Sequence, residues 1–324
     1  MIYVVLPEDK QYRLPFYLAT EEYIAREFPA QEYFFMWQVE PTVIFGRNQF
    51  IGSEVDTEYC KSQGIQFYRR KSGGGCVYAD RSNIMLSYIS PSTNVNFTFN
   101  SYMLMIEHAL QKLGVDARTS GRNDILVDNK KISGNAFYHL PHRSIVHGTM
   151  LYDTDLENMT KATTPSEAKL KSKGVESVRQ HVTTLNNYIS ISLDELKQHI
   201  RSELCTDSIK LSAKDIEKIK EIEQGYYEPS FIYGNNPAYT ILRKRRIEGV
   251  GEFRTSIEVK NGTIRKIDLA GDFFLVGDVD TMLLDKLCNI PYDRDSIGNS
   301  IGDTDCRAVI MNLTKEQLIN LLID

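Results

Sequence analysis

No run of apolar residues in this 324-residue chain approaches the length a bilayer span needs. No apolar stretch follows a basic start either, so neither a membrane helix nor a signal peptide is expected. Basic charge is in short supply. Against 43 Asp and Glu stand 38 Lys and Arg, a formal net charge of −5, which argues against a dedicated nucleic-acid binder. The cysteines (Cys60, Cys76, Cys205, Cys288 and Cys306) are odd in number and far apart, with no Cys-x-x-Cys pair. Free thiols in a reducing cytoplasm are the expectation, not a disulfide framework. Internal repeats and low-complexity tracts are absent. Two nucleotide fingerprints are missing as well: no Gly-Lys-Ser/Thr closes a glycine loop, and no Gly-x-Gly-x-x-Gly spacing occurs. What remains is ordinary globular composition, 42% hydrophobic and 25% charged, with length for one large domain or two.

The chain does hold one unusual loop, Arg69-Arg70-Lys71-Ser72-Gly73-Gly74-Gly75-Cys76-Val77-Tyr78, set between apolar runs. Glycines let the backbone bend tightly and let a ligand approach the main chain. Freed N–H groups beside guanidinium groups suit phosphate or carboxylate oxygens. The loop therefore reads as an anion cradle. A plain structural turn between two strands fits the glycine triplet equally well.

Around it, short strands alternate with helices. Ile2–Leu6, Tyr33–Val39, Thr42–Phe45, Gln66–Tyr68, Ile84–Ile89 and Ser144–Tyr152 are β-branched and aromatic and read as strands. Phe16–Glu27, Glu54–Gln63 and Tyr102–Leu113 read as helices. Asp128-Asn129 should turn Ile125–Val127 back onto Lys131–Ser133. Capping boxes at Ser192–Glu195 and Ser212–Asp215 predict two further helix starts. Gly225–Pro237, rich in Gly, Asn, Pro and Tyr, marks the domain boundary. Beyond it, Lys260-Asn261-Gly262-Thr263 is a hairpin signal. If Val259 faces Ile264, then Ile267 and Leu269 have switched face, which requires a bulge near Arg265 or Lys266. A last helix should start at Thr314, boxed by Gln317. The basic run Arg243–Arg246 reads as a surface strand or docking patch. The expected class is α+β, with a mixed, largely antiparallel sheet flanked by helices and a small C-terminal α+β domain.

Two more segments change the weight of the glycine loop: Gly121-Arg122-Asn123-Asp124-Ile125, running on through Lys131-Ile132-Ser133-Gly134-Asn135-Ala136, and His147-Gly148-Thr149. Together with the loop, and with Leu18-Ala19-x-Glu21-Glu22, Gly46-Arg47-Asn48-Gln49 and Gly174-Val175-x-Ser177-Val178, they resemble the lipoate–protein ligase family. Several independent motifs agree in order and separation. The resemblance is strong over residues 15–190 and fainter to the end. It implies a catalytic domain over residues 1–230, shaped like biotin ligases and class II synthetases, and a C-terminal accessory domain over 238–324. It also implies an activity: lipoate and ATP give lipoyl-AMP, and the lipoyl group then passes to a lysine of an apo lipoyl domain of a 2-oxoacid dehydrogenase or of the glycine-cleavage H protein.

Site residues follow from the same resemblance. Bringing a carboxylate against an α-phosphate costs about several kcal/mol in a partly dry site. Lys131 is the cation that would offset this and stabilise the transition state. Arg70 aligns with the nucleotide-binding arginine. Ser72, Gly73, Gly74, Gly75, Cys76, Val77 and Tyr78 would contact the adenylate, and Asn123 and Asp124 would orient ATP, with Asp124 on Mg²⁺. Lys131, Gly74, Gly75, Ser133, Gly134, Ala136, His147 and Gly148 would line the lipoate site. Turn chemistry is the bland account of Asn123-Asp124, and a strand histidine that of His147. Ser166–Arg179 matches a mobile family loop in which Lys169, Lys171, Lys173 and Arg179 would close on phosphates or an acidic acceptor; a plain solvated face accounts for the three lysines equally well. Tyr17, Phe50, Cys76 and Ala79 depart from the common pattern and leave the acid preference open. A cofactor-free octanoyl or lipoyl transferase would need a thioester cysteine after the lysine motif, where residues 132–160 hold none. A biotin ligase would need a Gly-Arg-Gly-Arg-like loop, which is absent. A degenerate, non-catalytic lipoate binder would rest on Tyr17, Phe50 and Ala79 alone.

Overall fold

A computed structural model describes residues 1–6, 11–49, 51–163, 181–233, 241–260 and 262–323. The chain folds as two units. One comprises Met1–Phe45, Ile51–Arg70 and Cys76–Ile232; the other comprises Gly46–Phe50, Lys71–Gly75 and Tyr233–Asp324. Two short loops of the N-terminal half, the second being the centre of the glycine loop, thus belong with the C-terminal unit. Among the described residues, no helix is long and apolar enough to cross a membrane.

The first unit is built on an eight-stranded sheet. Its strands are β1 (Ile2–Val5), β2 (Tyr33–Trp37), β6 (Asn83–Ser90), β7 (Arg118–Thr119), β8 (Asp124–Val127), β9 (Lys130–Leu140), β10 (Arg143–Leu151) and β11 (Asp207–Lys210). The order is β11-β1-β2-β6-β10-β9-β8-β7. β1 runs parallel to β2 and β11, and the remaining ladders are antiparallel. A smaller sheet joins β3 (Thr42–Phe45) in parallel to β4 (Gln66–Arg69) and antiparallel to β5 (Val77–Ala79). The mixed, largely antiparallel α+β architecture is as expected.

The helices sit where local chemistry starts them. Helix α1 (Leu14–Glu27) carries Pro15 in its first turn and is buried from Leu14 to Ala25. Helix α2 (Val95–Gln111) begins two turns before the expected Tyr102. The Asn94 side chain accepts from Phe97 N–H and caps it there. The single helix expected at Glu54–Gln63 is two, Ile51–Glu54 and Thr57–Ser62, because Asp56 accepts from Tyr59 N–H and opens a new one. Both capping boxes form, on α3 (Leu193–Leu204) and α4 (Ala213–Gln224).

Residues Asp128 and Asn129 take φ of 51° and 60°, the left-handed turn that folds β8 onto β9. Strand β9 continues to Leu140, past the expected Ser133, because β10 pairs with it residue by residue. The β8–β9 register slips once. Leu126 faces Lys131 and Ile125 faces Ser133, leaving Ile132 unmatched. Without that extra residue, Lys131 and Gly134 would point to opposite faces. With it, both share the face of Asp124. Cα pairing sets Asp124, Gly134, Thr149, Met85 and Trp37 in one row across five strands, and Ala136, His147, Ser87 and Phe35 in the next row of that face. Helix α1 lies over it. Ser133, Asn135 and Gly148 point to the opposite face, beneath α2.

The second unit holds an antiparallel sheet of β12 (Ile241–Ile247), β13 (Gly251–Lys260) and β14 (Thr263–Gly271), with helices α5 (Arg294–Ile301) and α6 (Lys315–Ile323). The basic run lies on β12, as a strand. The expected bulge is present: Val259 faces Ile264 and Glu258 faces Lys266, so Arg265 is the extra residue. Ile257, Ile264, Ile267 and Leu269 all reach one core. Thr314 and Gln317 close the expected box on α6.

Candidate active site

Lys131 is fixed through its main chain before its side chain does anything. It pairs with Leu126 on one side, and its carbonyl accepts from Thr183 N–H at 2.9 Å on the other. The side chain crosses Gly134 and brings Nζ to 2.7 Å from Asp124 Oδ1, both groups about one-third exposed (31% and 30%). A Cβ on residue 134 would stand 2.6 Å from that Nζ and 2.7 Å from Cε. The absent side chain is what leaves room for the lysine. Behind the pair, Asn123 and Asn135 bind each other reciprocally. Asn135 N and Nδ2 donate to Asn123 O at 2.9 and 3.1 Å, and Asn123 Nδ2 donates to Asn135 O at 3.1 Å. The Asn135 side chain in turn fills the space over Gly148, where a Cβ would overlap it. Asn123, Asn135 and Gly148 thus hold the strand ends that carry Asp124 and Lys131.

His147 lies on the Lys131 face but in its own cluster. Its Nδ1 is 3.1 and 2.9 Å from the two oxygens of Glu21, a carboxylate of α1 that is fully buried. Ser87 Oγ donates to Glu21 at 2.6 Å, and Trp37 Nε1 donates to Ser87 at 2.8 Å. Tyr17, an unusual residue for its position, stacks on Trp37 at 4.6 Å.

The glycine-loop residues divide between the units. In the first unit, Arg70 is buried, its main chain bonds Phe45 O, and its Nη1 donates to Ile44 O at 2.9 Å. Burial pulls its guanidinium down to about 10. Arg69 is pulled to about 10 by the same cause; it donates twice to Ile232 O and lies 4.7 Å over the Phe45 ring. Cys76 and Val77 are half-buried. Tyr78 packs in a small core with Val43, Phe45 and Cys60, and burial pushes its phenol up. In the second unit, Ser72 O accepts from Arg47 N–H, Gly74 N–H donates to Phe273 O at 2.9 Å, and a Cβ on Gly73 would lie 2.5 Å from that same carbonyl. A Cβ on Gly75 would stand 3.8 Å from that of Asp272, an ordinary distance.

The structure therefore gathers Lys131, Asp124 and Gly134 into contact, puts Ala136 and His147 in the adjoining row, and sets Asn123, Ser133 and Gly148 as support from behind. Phe50 and the segment Ser166–Arg179, with Gly174 to Ser177, lie outside the described residues. So does Val178. No cluster of three or more His, Cys, Asp or Glu able to hold a metal occurs among the described residues. Sequence reasoning assigned no role to Glu21, Ser87, Trp37 or Asn135. The available signal for Glu21 was two adjacent acids in the middle of a helix that is otherwise apolar, but for Thr20, from Leu14 to Ala25.

Residues 14–205 match the family model described as lipoyl protein ligase A/B catalytic domain, and residues 236–322 match bacterial lipoate protein ligase C-terminus. Lipoate–protein ligase 1 of Staphylococcus aureus is 34% identical over 314 residues, covering 94% of this chain and 95% of the relative. Among solved structures, P. falciparum LipL1 in complex with lipoate superposes with a TM-score of 0.75 at 19% identity, over 99% of this chain and 98% of that one. A lipoate–protein ligase A bound with ATP gives 0.61 at 23% identity, over 72% and 97%. The two structures share the fold, and the sequence relationship fixes the family: this chain is an enzyme of the lipoate–protein ligase family.

Proposed function

We propose that this ligase uses ATP to convert lipoate to lipoyl-AMP and then lipoylates a lysine on an acceptor domain. A lipoate carboxylate oxygen bonds to the α-phosphorus as pyrophosphate leaves. The acceptor ε-amine then bonds to the acyl carbon, AMP leaves, and the amine gives up a proton. The observation that carries this reading is Lys131, held across Gly134 with its ammonium against a carboxylate. That ammonium already accommodates one anion. In the reaction it meets two, the lipoate carboxylate and the α-phosphate, and offsets the repulsion between them. Among the described residues Asp124 stands in no cluster of metal-binding side chains, which suits Mg²⁺, a cation that takes one or two carboxylates and completes its shell with phosphate oxygens and water. Bound there, Mg²⁺ would screen the phosphates. Arg70 and the Cys76–Tyr78 main chain receive the adenylate, and Ala136, Gly134 and His147 receive the acyl chain. Ser133 and Gly148 contribute main chain and packing. The work is divided between a catalytic domain over 1–230 and an accessory domain over 238–324, in the cytoplasm.

The relatives' names support the ligase chemistry, and the ATP-bound relative supports ATP as its partner. The acceptors proposed are the apo lipoyl domains of 2-oxoacid dehydrogenases and the glycine-cleavage H protein. The test is the intact mass of an apo lipoyl domain after incubation with this protein, lipoate and Mg²⁺. A lipoyl mass gain with ATP and none without it is the expected result. Gain without ATP from a lipoylated carrier protein added as donor would point to acyl transfer instead. No gain and no AMP release would leave a binder.

A further inference from the structure

We propose that Glu21 is a positioning residue: it fixes the tautomer and orientation of His147, and through His147 sets how tightly the organic acid is held. The inference rests on the ligase reading for its substrate, and on geometry alone for the tautomer. An indole N–H only donates, so Trp37 commits the Ser87 oxygen to accepting. The Ser87 hydroxyl hydrogen must then turn to Glu21, 2.6 Å away. A carboxylate only accepts. His147 Nδ1, within 3.1 Å of both Glu21 oxygens, therefore carries the proton, and Nε2 is left as the other nitrogen of a ring that cannot rotate freely. The indole N–H at one end and the carboxylate, which has no hydrogen to give, together set the direction of every bond in the chain.

The chain is costly to bury. Glu21 and Ser87 are completely buried, and Trp37 and His147 nearly so. A buried carboxylate is tolerated only where donors surround it. This one draws donors from β6 and β10, and it comes from the helix that covers the Lys131 face. His147 and Ser87 form the row beside Gly134 and Trp37. An acid whose carboxylate meets Lys131 extends its chain over that face.

Glu21→Gln is the discriminating variant. It keeps the shape but offers one acceptor and one donor where two hydrogens need acceptors. With its oxygen taken by Ser87, the amide N–H₂ faces Nδ1 and drives the ring proton to Nε2, the error that an Asp→Asn change makes beside a catalytic histidine. In wild type, ¹⁵N NMR should show His147 as the Nδ1–H form; in Glu21→Gln it should shift to Nε2–H. The KM for lipoate should rise about tenfold, as for one lost buried hydrogen bond, while the KM for ATP stays within about twofold. Because Glu21 acts through His147, Glu21→Gln should add nothing in a His147→Ala background. An Nε2–H ring in wild type, additive effects, or an equal rise in the ATP KM would each overturn the proposal. Should Glu21→Gln not fold, Glu21→Asp takes its place, its shorter side chain drawing the carboxylate back from Nδ1. It must raise the lipoate KM alone, and must add nothing without His147. A wild-type chain that forms no adenylate would sink the ligase reading and leave the NMR result standing.

Discussion

Strands β8–β9 and β13–β14 are both hairpins joined by two residues, and each carries one bulge close to its turn. In the second unit the extra residue is Arg265, exposed, its guanidinium on Asn289 Oδ1 at 3.2 Å. In the first it is Ile132, completely buried. The Arg265 bulge returns Ile267 and Leu269 to the core side after Ile264 and so serves packing. The Ile132 bulge turns a lysine onto the face of a glycine and an aspartate, and anchors the displaced backbone in the core. One backbone device thus repairs a hydrophobic pattern in one place and builds a reactive contact in the other. The contents of the bulge reveal which: an extra residue that is buried is structural ballast for something precise beside it.

The sharpest way to break this comparison is to remove what the first bulge positions. Lys131→Ala should lower adenylation by at least 10²–10³-fold, the range for losing one preorganised charge partner in a transition state. Its melting temperature should stay close to wild type, since the side chain is one-third exposed. Pyrophosphate release and a thermal melt measure the two arms. Retained activity would remove Lys131 from the mechanism. Ile132→Ala attacks the anchor instead. Truncating a completely buried isoleucine should cost about 2–5 kcal/mol in a urea titration, with adenylation falling as the bulge loosens.

How far each hairpin was legible differs for a physical reason. Ile264, Ile267 and Leu269 are apolar on both sides of Arg265, so a switch of face shows as a broken alternation. Around Ile132 the sequence reads Lys130, Lys131, Ser133, Gly134, with no apolar rhythm to break, and the bulge was invisible although every residue of the motif was noted. Turns and caps were legible where one side chain decides them, as at Asp128-Asn129, Ser192 and Thr314. Asn94 and Asp56 do the same and were overlooked, which displaced two helix boundaries. The partner of His147 was out of reach: Glu21 is 126 residues away, on a helix buried from Leu14 to Ala25, where periodicity cannot say which side meets the sheet.

Gly134→Ala separates position from chemistry. Its Cβ crowds the flexible end of Lys131 and otherwise makes ordinary contact with Asp124 at 3.8 Å, so the fold should yield cheaply while Nζ leaves Asp124. Misplacing a reacting group by about 1 Å can cost on the order of 10- to 100-fold, and adenylation should fall in that range with stability within about 1 kcal/mol of wild type. An unchanged rate would show that the lysine finds its anions from any starting point.

The smallest effect expected is at the other bulge. Arg265→Ala removes an exposed side chain and one hydrogen bond to Asn289, an exposed partner that water can satisfy. The extra backbone residue, which is what carries Ile267 and Leu269 back to the core, is untouched. Stability should therefore change by no more than about 0.5 kcal/mol, against about 2–5 for Ile132→Ala. Two urea titrations decide it. If Arg265→Ala proves as costly as Ile132→Ala, the side chain at a bulge matters whatever its exposure, and burial is no guide to what a bulge is for. If the two differ as expected, the second unit can serve as an internal control: its bulge position accepts substitution without loss, and the loss at Ile132 belongs to the burial of that side chain, not to bulging as such.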